Sequence, residues 1–222
     1  MKKTVFNKEY FKNRFLNDNK RIQSFKSEKE FIFSHIKKGI VCDIGCSTGE
    51  MLSAFKWDGE KYGMEISRYA KNQAIENGIS FEKDIFNSKD YFDIIIFRGT
   101  IQHIDTPFLY MKKCYEALKD DGVLVFLATP NTNSLYFKMW NTLPFLDYPE
   151  SNYFIPNDRW LINSTKNIGF ELVEIRYPYF NSPYSDFFFD HIKFVLKAIG
   201  IKKFKFAFWR NSMDVILRKK NV

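Results

Sequence analysis

The chain has 222 residues, 45% of them hydrophobic and 27% charged, with 10 glycines and 7 prolines, which excludes disordered, collagen-like and repeat proteins. A chain this long buries roughly 70% of its unfolded surface and needs neither disulfides nor a structural metal. The 34 Lys and Arg against 26 Asp and Glu leave a net charge of +8, which suits nucleic acid, anionic lipid or a phosphorylated small molecule without choosing among them.

Cys42, Cys46 and Cys114 form neither an even set nor a Cys-x-x-Cys pair, so a disulfide framework and a zinc site are not expected, and a reducing cytoplasmic setting fits. The first twelve residues scatter Lys2, Lys3, Lys8, Glu9 and Lys12 among few apolar ones, so no export signal is expected. No apolar run approaches the roughly 20 residues of a membrane span.

In chain order, Ile22 to Lys38 repeats apolar residues at helical spacing, and Ile40 to Ile44 is a strand closed by Gly45. Thr48 to Trp57 carries Met51, Leu52 and Phe55 on one helical face. Lys61 to Ile66 is a second strand; Ser67 then caps a helix that Gly78 stops. Ile79 to Lys83 is a third strand, and the near-continuous apolar run Tyr91 to Phe97 is the central fourth. Pro107 opens a helix to about Lys119, Asp120-Asp121-Gly122 makes a turn, and Val123 to Ala128 is the fifth strand. Phe170 to Tyr177 and Met213 to Arg218 complete seven. Strands alternating with helices predict an α/β sheet with crossover helices in one domain. Two aromatic-rich stretches, Pro130 to Pro156 and Pro178 to Trp209, break the rhythm as insertions after strands 5 and 6. Lids, partner surfaces and extra packed helices all fit the first; packing or dimerisation suits the second better.

Asp43-Ile44-Gly45-Cys46-Ser47-Thr48-Gly49 lies where the first strand hands over to a helix, a place where glycines let backbone approach a ligand. A phosphate-binding loop would need a Lys where Glu50 stands, and a nicotinamide-binding turn would need glycine at Ser47 and Glu50. Asp43 would repel pyrophosphate but suits a ligand bearing an ammonium group, such as a sulfonium amino acid. Glu65 ends the second strand, where a carboxylate accepts from ribose hydroxyls in open α/β folds. Asp84, beside Ile85, follows the third strand and can receive an adenine amino group.

These segments resemble the class I methyltransferases that use S-adenosyl-L-methionine, as do Tyr91 to Ile96, Gln102-His103-Ile104 and Leu118 to Leu124. Thr129-Pro130-Asn131 and Ile168 to Glu171 narrow the resemblance to the branch with ubiquinone-biosynthesis O-methyltransferases and bacterial sugar or capsule-pathway enzymes. It implies a Rossmann-like seven-stranded sheet with its last strand antiparallel: a helical cap over 1–38, a cofactor core over 39–131, and acceptor-side insertions with the last two strands over 132–222. It also implies that Asp43, Gly45, Cys46, Ser47 and Gly49 line the methionine moiety, Glu65 and Ile66 the ribose, Asp84 and Ile85 the adenine, and Arg98, Gly99 and Thr100 the sulfonium. Tyr10 or Arg14 would reach the methionine carboxylate.

Quinone-type relatives carry metal-binding carboxylates after the fourth strand. Here Gly99 and Gln102 replace them and leave His103 alone, so no metal is expected. Methyl transfer to a hydroxyl needs alignment and removal of a proton, and His103 is the candidate base, with His191 the runner-up and His35 a packed helix residue. The expected acceptor is a small molecule, a sugar or phosphorylated precursor of surface polysaccharide, with Lys138, Arg159, Lys166, Arg176 and Arg210 as candidate phosphate clamps. Two other readings stay open. One is an RNA or protein methyltransferase, although nucleic acid is not favoured and no base-methylating motif follows Phe97. The other is a noncatalytic partner subunit that uses Phe187-Phe188-Phe189 against a membrane or protein. Monomer and homodimer both fit.

Overall fold

A computed structural model describes residues 9–11, 18–144, 146, 151–180, 182–201 and 204–220. Chain order is α1 (Asp18–Phe33), β1 (Val41–Ile44), α2 (Glu50–Phe55), β2 (Lys61–Met64), α3 (Arg68–Glu76), β3 (Phe92–Arg98), a 3-10 turn (Ile101–His103), α4 (Pro107–Ala117), β4 (Leu118–Pro130), α5 (Leu135–Trp140), α6 (Asp158–Ile168), β5 (Phe170–Arg176), α7 (Phe187–Ala198) and β6 (Ser212–Lys219).

Among the described residues the sheet has six strands in the order β2-β1-β3-β4-β6-β5. β2, β1, β3 and β4 run parallel to one another, and β6 runs antiparallel between β4 and β5. The third of the seven expected strands, Ile79 to Lys83, is reduced to one parallel bridge at Ser80 opposite Tyr62. Two backbone bonds, Gly63 N–H to the Ser80 carbonyl at 2.9 Å and Ser80 N–H to the Lys61 carbonyl at 2.8 Å, make that bridge, and the buried Ile79 side chain anchors the segment in the core. The expected turn at Asp120 to Gly122 is instead a bulge inside β4. Pairing jumps from Leu118 opposite Phe92 to Val123 opposite Ile94, and Asp121 takes a positive φ of 61°.

Period-two alternation divides the buried strand residues between two cores. Ile94, Ile96, Val123, Val125 and Leu127 face Phe25, Ile32, Leu52 and Phe55 of α1 and α2. Ile95, Phe97, Leu124 and Phe126 face Met111 and Cys114 of α4 and Leu161 of α6. Cys42, Cys46 and Cys114 are free thiols, all buried.

The insertions contain helices. Asn157, whose side chain accepts from Trp160 N–H at 2.9 Å, starts α6, and Gly169 with a φ of 120° stops it; both signals are legible in the sequence. α5 and α7 pack on one another through aromatic rings. Tyr136 stands 4.6 Å from Trp140, Trp140 stands 5.2 Å from Phe194, and Phe194 stacks on Phe208 at 4.4 Å. Much of the aromatic content is thus extra packing, yet the first insertion also reaches the site wall, where Tyr153 N–H donates to the Gln102 carbonyl at 2.9 Å. Phe145 and Tyr148 lie outside the described residues. Among the described residues no helix is long and apolar enough to cross a membrane.

Candidate active site

β1 has β2 on one side and β3 on the other, so the chain leaves it in opposite directions and opens a crevice at the strand ends. A cavity of about 400 Å³ fills that crevice. Its wall includes Gly45 and Ser47 after β1, Glu65 and Ile66 after β2, Asp84, Arg98, Gly99 and Thr100 at the end of β3, and His103. Tyr10 closes it from the N-terminal side.

The loop after β1 holds its shape through left-handed residues, Gly45 at φ 78°, Ser47 at 55° and Gly49 at 77°. Gly45 must be glycine for a second reason: a Cβ there would stand 2.6 Å from Thr100 Cγ2. Gly45 N–H donates to the Met64 carbonyl at 2.8 Å, which ties the loop to the end of β2. Glu65 completes the tie, its two carboxylate oxygens accepting from Ser47 N–H at 3.0 Å and Ser67 N–H at 2.7 Å. The carboxylate is thereby fixed at the cavity lip. Asp84 is fixed likewise, its Oδ1 accepting from Phe86 N–H at 2.7 Å and Asn87 N–H at 3.0 Å. Ile66 is 76% exposed, an aliphatic face left open at the cavity.

Asp43 is not in the wall. It lies buried beneath the loop, and burial pushes its carboxyl up to about 7, with Glu65 and Glu28 adding to the effect and Arg98 and Arg21 opposing it. Asp43 Oδ1, Ser47 Oγ and Thr48 Oγ1 are buried without hydrogen-bond partners among the described residues. Of these three atoms, only Ser47 Oγ belongs to a residue of the cavity wall; Asp43 and Thr48 lie behind it.

Three other expected cofactor residues also stand back from the cavity. Cys46 packs behind the loop, where a Cβ on Gly63 would meet its Sγ at 2.6 Å. Gly49 faces Ile79 and Ala74, and Ile85 is buried in the α4-side core. Each supports the shape of the wall from behind. Arg14 lies outside the described residues. Arg98 reaches the wall, but its guanidinium is engaged in the other direction, with Nε 2.7 Å and Nη2 2.9 Å from the two carboxylate oxygens of Glu28.

His103 ends the 3-10 turn. Its Nδ1 stands 3.2 Å from the Ser151 carbonyl and 3.1 Å from the Ser151 hydroxyl. A carbonyl can only accept and the hydroxyl can accept as well, so the Nδ1–H tautomer satisfies both and leaves Nε2 as a lone-pair acceptor. Gln102 Nε2 at 3.4 Å from that nitrogen agrees.

His191 is not at the cavity; its Nδ1 bonds the Phe187 carbonyl on α7 at 2.6 Å. His35 pairs with Glu174 at 2.7 Å. None of the five candidate phosphate clamps lines the cavity, and two are committed elsewhere: Arg176 to Asp214 at 2.8 Å, and Arg210 to Asp158. Among the described residues no group of three His, Cys, Asp or Glu is placed to hold a metal ion. Lys71, Phe81 and Tyr110 also line the cavity. They carry no motif signal in the sequence, because tertiary packing alone brings α3, the Ser80 segment and α4 to this wall.

A family model described as a methyltransferase domain matches residues 16–175, well over half of the chain. The chain belongs to the methyltransferase family. It is a class I enzyme of that family, and its cofactor is S-adenosyl-L-methionine. The methyltransferase is 29% identical over 119 residues to the mitochondrial ubiquinone biosynthesis O-methyltransferase of Saccharomyces cerevisiae. That match spans 48% of this chain and only 37% of the yeast protein. Its fold is similar to a SAM-dependent methyltransferase from Thermotoga maritima, with a TM-score of 0.64 at 18% identity over 94% of this chain and 97% of that one. It is also similar to the magnesium protoporphyrin IX methyltransferase of Synechocystis PCC 6803, solved with bound SAH, with a TM-score of 0.61 at 13% identity over 90% and 84% of the two chains.

Proposed function

We propose that this methyltransferase binds S-adenosyl-L-methionine in the cavity at the ends of β1, β2 and β3 and methylates a hydroxyl oxygen of a small molecule, a sugar or phosphorylated precursor of surface polysaccharide. The observation that carries the reading is a single cavity whose wall includes both the Glu65 carboxylate and His103. The unsatisfied Ser47 hydroxyl and the open face of Ile66 fit a ligand that is polar at one end and carries a flat base at the other. When bound, the sulfonium supplies an activated methyl group. Glu65 accepts from the ribose hydroxyls, Asp84 from the adenine amino group, and Asp43 offers negative charge beneath the loop toward the ammonium. His103 Nε2, exchanging its 3.4 Å contact with the Gln102 amide for the acceptor hydroxyl, takes that hydroxyl's proton as oxygen becomes the nucleophile. Oxygen as the methylated atom is supported by the name of the yeast relative. The polysaccharide setting rests on the resemblance read from the sequence, as do the cytoplasmic location and the division into cap, core and acceptor side.

Two measurements test this. Titration calorimetry with S-adenosylhomocysteine should give a saturable isotherm that Glu65→Ala weakens at least about tenfold, the loss of charge-assisted hydrogen bonds. A labelled-donor assay over free, phosphorylated and nucleotide-linked sugars should give an O-methyl product. Binding untouched by Glu65→Ala would move the cofactor elsewhere, and an N-methyl product would overturn the acceptor assignment.

A further inference from the structure

We propose that Gln102 makes this enzyme select a hydroxyl over an amine: its side-chain N–H donates to the same acceptor oxygen whose proton His103 takes, a role that rests on His103 being the base. Gln102 is buried, 6% exposed, and its amide nitrogen reaches two residues of the cavity wall. Nε2 donates to the Gly99 carbonyl at 2.9 Å and stands 3.4 Å from His103 Nε2. Flipping the amide would set Oε1 against the Gly99 carbonyl, two acceptors at hydrogen-bond distance, so that carbonyl fixes which end of the amide meets the imidazole. The orientation is kept although it leaves Oε1 without a partner among the described residues, so Gly99 and His103 set it and not the amide oxygen. Across the ring, the Ser151 carbonyl, 3.2 Å from Nδ1, holds the tautomer whose lone pair is on Nε2. A lone pair and an N–H donor therefore stand side by side.

A hydroxyl oxygen matches that pair and an amine nitrogen does not. The oxygen carries one proton and two lone pairs. Entering where the two nitrogens now meet, it gives its proton to His103 Nε2 and accepts the Gln102 N–H on one lone pair at about 2.9 Å. Its other lone pair forms the bond to the methyl carbon, and the electrons of the broken carbon–sulfur bond stay on sulfur. The Gln102 N–H also steadies the negative charge that grows on oxygen as the proton leaves. A primary amine has a single lone pair. With that pair on the methyl carbon and one N–H on His103, its second N–H faces the Gln102 N–H, two donors with no acceptor between them. Burial makes the mismatch costly.

One arm of the test needs no acceptor. The chain has three histidines, so nitrogen NMR of labelled protein saturated with S-adenosylhomocysteine, with His103→Asn to identify the signal, reads the His103 tautomer at about pH 8, where an ordinary imidazole is neutral. Wild type should carry its proton on Nδ1 alone, and Gln102→Glu, which presents an acceptor in the same shape, should place a proton on Nε2. A wild-type Nε2 that carries a proton overturns the proposal, as does a folded Gln102→Glu with the wild-type signal. The second arm is a labelled-donor assay on free and phosphorylated glucose and glucosamine, with O-methyl and N-methyl products separated. Wild type should give O-methyl products from both sugars, and Gln102→Met, of similar length but without the N–H, should lower that rate at least about tenfold with S-adenosylhomocysteine affinity unchanged. O-methylation untouched by Gln102→Met overturns the role of Gln102 and leaves the O-methyl assignment standing, whereas N-methylation by wild type overturns both.

Discussion

Arg98 and Glu28 form a two-pronged ion pair that fastens α1 to the end of β3, with Glu28 buried and Arg98 partly so. Burial pushes the Glu28 carboxyl up even though Arg98 opposes it, so desolvation is only partly offset by the pairing. Arg98→Met should therefore lower the unfolding free energy by about 3–5 kcal/mol, because it strands a buried carboxylate. Arg98→Met with Glu28→Met should recover most of that loss. Denaturant titration of the three proteins checks this; a single variant as stable as wild type would show the pair to be slack.

Asp43 sets a pH dependence. Its carboxyl is raised to about 7 in the fold against an ordinary 3.8, so the folded chain holds a proton that the unfolded chain has released. Stability of the cofactor-free protein should fall as pH rises from about 4 to 7 and level off above. Cofactor affinity should move the other way, because a cationic ammonium favours the charged carboxylate. Calorimetry with S-adenosylhomocysteine between about pH 6 and 8 should show affinity rising through about 7, and Asp43→Asn should flatten the curve. The groups that face Asp43, namely Arg98, Glu65, Glu28 and Arg21, are unchanged in that variant. An identical slope in both proteins would remove Asp43 from the site.

His103→Asn should lower turnover on the true acceptor by about a hundredfold or more with S-adenosylhomocysteine affinity intact, since removing a general base affects only the proton transfer. Turnover reduced less than about tenfold would make His103 a wall residue.

Asp158 governs the acid side. Burial alone would raise it, but hydrogen bonds from Tyr177 at 2.7 Å, Asn133 and Arg210 and from Arg159 N–H at 2.8 Å bring its carboxyl down to about 2. The stability it contributes is present above about pH 4 and lost as pH falls toward 2. Asp158→Ala should cost about 1–3 kcal/mol at neutral pH, from partners left unsatisfied, and should make acid unfolding shallower. Thermal melts from pH 7 to 3 would reveal either effect.

The parallel half of the sheet was legible because buried strands read as apolar runs. The run of Ile94, Ile95 and Ile96 admits no half-exposed reading, and both faces are indeed covered. The Ser80 segment misled, since a strand-like composition does not reveal how many residues find a partner. Asp120-Asp121-Gly122 misled in the opposite sense: turn residues can be absorbed as a bulge when apolar residues flank them on the same strand. At the site, strand-end carboxylates were legible from position alone. Whether a side chain faces the cavity or stands behind it was not, and Asp43, Cys46 and Ile85 differ from Glu65 only in the direction the backbone gives them.

The three sealed thiols leave a practical opening. With Cys42, Cys46 and Cys114 enclosed and their ionisation suppressed by burial, a maleimide dye should find nothing to react with on the folded enzyme. A single cysteine introduced on the surface would then be the sole attachment point, so a fluorophore or spin label could be placed without first stripping out the native residues.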